Sequence, residues 1–82
     1  MREILTESSY KFSTPEVAGL RNSMLQEMLD LRAAAEVLQL FLMGRGYGVS
    51  TDDAREAVRR FGVAGWPVEA IQRELDRIAL VQ

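Results

Sequence analysis

The sequence predicts an all-α protein, and three observations carry that prediction. Apolar residues recur at helical spacing over most of the chain from Val17 onward, proline occurs only at positions 15 and 67, and every glycine except Gly19 falls where a helical stretch runs out. The expected architecture is one long amphipathic helix over about 15–43, followed by two short helices over about 51–61 and 67–80. These form a small helical bundle that pairs as a dimer, with residues 1–14 as a flexible N-terminal tail and 15–82 as a single helical domain.

The tail, Met1 to Ser13, is polar apart from Ile4, Leu5, Tyr10 and Phe12, and the two aromatics are expected to dock on the helices. Thr14-Pro15-Glu16 starts the first helix: a threonine hydroxyl can cap free N–H groups, proline suits the first turn, and an early acid suits the helix dipole. Counted in heptads from Val17, the seam positions are Val17, Leu20, Met24, Glu27, Leu31, Ala34, Leu38 and Phe41, with Met28 beside the one polar member. A second apolar row runs through Ala18, Leu25, Leu29, Ala33, Leu40 and Met43.

Gly44-Arg45-Gly46-Tyr47-Gly48 ends this helix, and Ser50 or Thr51 caps the next, with Asp52 and Asp53 in its first turn and Gly62 closing it. Its inward face is Ala54, Ala57, Val58 and Phe61. Gly65-Trp66-Pro67 leads into the last helix, whose inward residues are Val68, Ile71, Leu75, Ile78 and Ala79.

At ~1.5 Å per residue the first helix would be about 43 Å long, against about 15 and 21 Å for the others, so two short helices cannot cover both its apolar faces. A second copy packed along the Val17–Leu31 seam resolves this. The competing arrangement breaks the long helix near Gly19 or around Asp30-Leu31-Arg32 and folds it back as a four-helix monomer.

Composition narrows the function. A domain of 82 residues buries a modest core, and with no cysteine and no histidine it has neither disulfides nor the usual metal ligands to reinforce it, which again points to self-association. Ten basic and twelve acidic residues give a net charge of −2, so there is no global attraction to nucleic acid or anionic membrane. No apolar run approaches the ~18 residues of a membrane span, and the acidic Met1–Glu7 stretch does not resemble a targeting signal, so a cytoplasmic setting is expected.

Gly44, Gly46 and Gly48 follow a helix and precede acids, which suits a helix end better than a phosphate cradle. Asp52, Asp53 and Glu56 read as solvated capping acids, and no nucleophile stands beside a base. No catalytic, cofactor or metal site is expected.

Ala57-Val58-Arg59-Arg60-Phe61-Gly62-Val63 through Val68 and Ile71 resembles a helix-turn-helix unit, with Gly62 and Val63 at the turn. It departs from that pattern at Val58, where a small side chain is usual, and Trp66, Glu69 and Ala70 are poor readers of bases or phosphates. Met43-Gly44 with Tyr47, then Asp53-Ala54, Ala57-Val58 and Val68-Glu69-Ala70-Ile71 before Leu75, is also similar to the ubiquitin-associated type of domain. That resemblance implies a compact three-helix packing.

The resulting expectation is a non-enzymatic regulatory or adaptor protein acting through helix-mediated protein–protein contact. Val17, Leu20, Met24, Met28 and Leu31 form its interface, Tyr47 and Trp66 are further anchors, and a protein partner and a homodimer are implied. The alternative is a helix-turn-helix-like DNA-binding transcriptional regulator in which Arg55, Arg59, Arg60 and Arg73 meet phosphates.

Overall fold

A computed structural model describes residues 10–27 and 30–81. It contains four helices, α1 (Thr14–Gln26), α2 (Leu31–Met43), α3 (Thr51–Ala64) and α4 (Val68–Ile78). A two-residue strand β1 (Tyr47–Gly48) lies between α2 and α3, and β2 (Leu80–Val81) follows α4 and pairs with it antiparallel, Tyr47 opposite Val81. Helix α1 packs on α2 and α4, α2 on α3, and α3 on α4, so the bundle is closed by α1 rather than by the last three helices alone. The expected tail residues 1–9 lie outside the described residues, but Phe12, inside the same expected tail, is buried in the core.

The single helix expected over 15–43 is two helices, and the fold-back arrangement with its break at Asp30 is the one adopted. Two local features make the break. Glu27, the polar member of the seam, leaves helical geometry with its N–H turned to Met24 O, and Asp30, extended at φ −135°, caps α2 by accepting from Arg32 N at 3.0 Å and Ala33 N at 3.3 Å. Folding back lets α1 bury Val17, Leu20 and Met24 against its own chain, which removes apolar surface from water without a second copy. Gly19 stays within α1.

Ser13, one residue before the expected cap, starts α1 through a reciprocal box: Glu16 N–H donates to Ser13 Oγ at 3.3 Å, and Ser13 N–H donates to Glu16 Oε1 at 2.9 Å. The Ser13 N–H bond first, and the Arg45 guanidinium next, hold the Glu16 carboxyl below its ordinary range.

Helix α3 starts as expected, with Ser50 Oγ accepting from Asp53 N at 3.1 Å, but it runs past Gly62 to Ala64. The left-handed stop is Gly65, at φ 89°. The two glycines should therefore respond oppositely to alanine. Gly62→Ala, where the new methyl meets only Trp66 Nε1 at 3.9 Å, is expected to stabilise by about 0.5–1 kcal/mol, and Gly65→Ala to destabilise by about 1 kcal/mol. Urea midpoints of the two variants check this; the reverse order would place the helix end at Gly62.

Helix α4 begins after Pro67 and ends at Ile78, two residues short of the expected end, because Ala79 turns extended and Leu80–Val81 pair with β1. No described helix is long and apolar enough to cross a membrane.

Candidate functional site

The seam expected as an interface is consumed by the fold. Val17 and Met24 are 0% exposed and Leu20 is 3% exposed, so none of the three offers surface to a partner. Their helical spacing is the same whether the covering surface belongs to another copy or to α2 and α4 of the same chain, which is why the pattern alone pointed outward. Met28 lies outside the described residues. Tyr47 is half-buried and spent internally, its ring edge-on to Phe12 at 5.3 Å.

Leu31 and Trp66, the remaining anchors, do meet on one surface. Residues of the first turn of α2, of the last turns of α3 and Trp66 border a groove of about 370 Å³, lined by Leu31, Ala34, Val58, Arg59, Gly62, Val63 and Trp66. Leu31 is 36% exposed and Val63 87%, the most exposed large apolar side chain described. The sequence hid Val63 because the helix was expected to stop before it. Once α3 continues to Ala64, Val63 is a helical residue facing water.

Trp66 forms one wall of this groove and stands at φ 62°, a left-handed conformation that a bulky residue adopts at a cost of ~1–3 kcal/mol. Three contacts hold it there. Its N–H donates to Phe61 O at 2.8 Å, closing the end of α3, its carbonyl accepts from Arg21 Nε of α1 at 2.5 Å, and its ring lies 6.1 Å from that of Phe61.

Helices α3 and α4 are joined at Gly65-Trp66-Pro67, not at the Gly62-Val63 turn expected for a helix-turn-helix unit. Arg59, Arg60 and Arg73 converge on a second cleft, about 490 Å³, between α3 and α4. Each is already paired: Arg59 with Glu56 at 2.6 Å, Arg60 with Glu74 at 2.5 Å, and Arg73 with Glu69 at 3.6 Å; Arg55 pairs with Asp52 at 3.0 Å. A phosphate approaching any of them also approaches its carboxylate.

Glu74 ties this cleft together, accepting from both Arg60 and Arg77. The hydrogen bond from Arg77 is the largest influence on its carboxyl; the charges of Arg77 and Arg60 add to it, outweigh partial burial, and hold the group below its ordinary value of 4.5. A carboxylate lowered in the folded state contributes stability that is full above that ordinary value and is lost as pH falls through the lowered one. Glu74→Gln should cost on the order of 1 kcal/mol at pH 7 and flatten the acid limb of the stability profile below pH 4.5, measured by urea unfolding at stepped pH.

Among the described residues no group of three potential ligands is placed to hold a metal ion. No protein-family model matches the chain, and comparison with curated proteins and with solved structures returns no match.

Proposed function

We propose that this chain is a non-enzymatic, cytoplasmic adaptor or regulatory module that binds an apolar-faced helix of another protein in the groove between α2 and α3. The observation supporting this reading is the grouping of Leu31, Val63 and a strained, tethered Trp66 around one open apolar trough. Helix-in-groove recognition needs a row of exposed apolar side chains on a rigid wall, and rigid aromatic residues are the usual anchors of such contacts. The charge-balanced surroundings favour a protein occupant over nucleic acid. The interface thus moves from the Val17–Met24 seam to its neighbour, retaining Leu31 and Trp66.

Selection from a displayed library of amphipathic helical peptides tests this. Selected peptides should perturb Trp66 fluorescence, bind with little dependence on salt, and lose at least tenfold in affinity on Val63→Asp (roughly 1.4 kcal/mol or more), while the melting temperature of that variant stays near wild type. Failure to select any binder, or binders indifferent to Val63→Asp, would overturn the reading.

A second reading, DNA binding through α3 and α4, is favoured by the convergence of Arg59, Arg60 and Arg73 on one cleft. It requires duplex affinity that falls steeply with salt and with Arg73→Ala.

A further inference from the structure

We propose that α1 governs the groove between α2 and α3 through Arg21, whose hydrogen bond to the Trp66 carbonyl holds the indole wall in place. This inference rests on the groove reading above and adds the regulation of that same site.

Among the described residues none of α1 lines the groove, yet α1 holds the conformation of one of its walls. Trp66 precedes Pro67, and a residue before proline favours extended backbone. At φ 62° Trp66 stands instead in the left-handed region. The local signals account for Gly65 and not for Trp66. Gly65 already supplies the left-handed stop of α3 at φ 89°, and the Trp66 N–H bond to Phe61 O is indifferent to the φ of Trp66, because that angle moves only the side chain and the chain beyond it.

The carbonyl side of Trp66 is held from elsewhere. Arg21 Nε of α1 donates to it at 2.5 Å, from 45 residues away in sequence. A guanidinium bond to a part-buried carbonyl is charge-assisted, and Arg21 is delivered from a fixed position, because Leu20 and Met24 anchor α1 in the core. The segment leading into α1 also grips α4 beyond the turn: Gln72 Nε2 donates to Phe12 O and Lys11 N to Asp76 Oδ1, both at 2.9 Å. With α1 docked, the left-handed conformer is the populated one and the groove has both walls. Once the Arg21 bond is lost, Trp66 relaxes toward extended backbone, its ring leaves the groove, and affinity falls with the share of chains that keep the left-handed conformer. The linkage is reciprocal, so an occupant that needs the indole wall tightens the docking of α1 by the same factor.

Arg21→Met keeps an aliphatic stem and removes the donor, whereas Arg21→Lys retains a cation. In the free protein, the strong intraresidue HN–Hα NOE that marks a positive φ at Trp66 should weaken in Arg21→Met and recover in part in Arg21→Lys. A helical peptide selected on the wild-type groove should bind Arg21→Met about fivefold or more weakly, with Arg21→Lys between. In the wild type that peptide should slow amide exchange in α1 more than in the second half of α2, beyond the uniform slowing that any bound ligand gives. An unchanged Trp66 NOE in Arg21→Met, or equal peptide affinities for wild type and that variant, would overturn the coupling and leave the groove reading standing. If no peptide can be selected, the groove reading falls and this regulation with it. Should Arg21→Met fail to fold, Arg21→Lys and the wild-type exchange measurement decide, and uniform slowing across α1 and α2 rejects the proposal.

Discussion

Met24→Glu is expected to unfold the protein at neutral pH rather than to release one copy from another. Met24 is fully buried on α1, where that helix packs against α2 and α4. The substitution removes apolar burial worth about 1.5–3 kcal/mol and places a carboxylate where it must either stay charged out of water or take up a proton. A loss above about 4 kcal/mol follows, comparable to the whole stability of about 4–12 kcal/mol that a domain of this size has available. Far-UV circular dichroism at pH 7 should show most of the helix signal gone. Because burial raises a carboxyl's pKa, partial recovery on mild acidification is expected, since the neutral form is tolerated better than the charged one. A folded Met24→Glu protein with unchanged melting temperature but half the wild-type mass would instead place Met24 between copies.

The reason the seam misled lies in what a helical repeat can encode. Spacing reveals which residues are buried, and it did so well: Ala54, Ala57, Val58 and Phe61 of α3 and Ile71, Leu75 and Ile78 of α4 are all in the core as their periodicity implies. It does not reveal what covers them. Whether Val17, Leu20 and Met24 meet α2 of the same chain or of another depends on the backbone at Glu27 and Asp30, and the local signs of a stop there, a glutamate in the seam and an aspartate after it, also fit exposed helix positions. Helix ends carried by a plain left-handed glycine signal were ambiguous by three residues, because Gly62 and Gly65 both qualify and only the tertiary position of Trp66 selects the second. That shift concealed Val63 and moved the helix-turn-helix turn. The β1–β2 pair is two residues long on each side, too short for alternation to announce it.

Phe12→Ala is expected to cost about 3 kcal/mol, and so to lower the melting temperature by roughly 12–24 °C, although the residue precedes the first helix. Its ring is 2% exposed and lies between Phe41 of α2, 5.5 Å away, and Tyr47 of β1, 5.3 Å away and nearly perpendicular. Its carbonyl accepts from Gln72 Nε2, the one buried polar side chain among the described residues, so the backbone here is as fully integrated as the ring. Lys11 is the control one residue away. It is exposed, and Lys11→Ala removes a surface hydrogen bond to Asp76 O and a 6.0 Å approach of Nζ to the Tyr47 ring, together worth about 1 kcal/mol. Thermal melts of the two variants should differ several-fold in their shift. Equal small shifts would return residues 10–13 to the role of a loosely attached tail; the expected asymmetry makes them part of the folded domain, with Phe12 filling the corner where α2 and β1 meet.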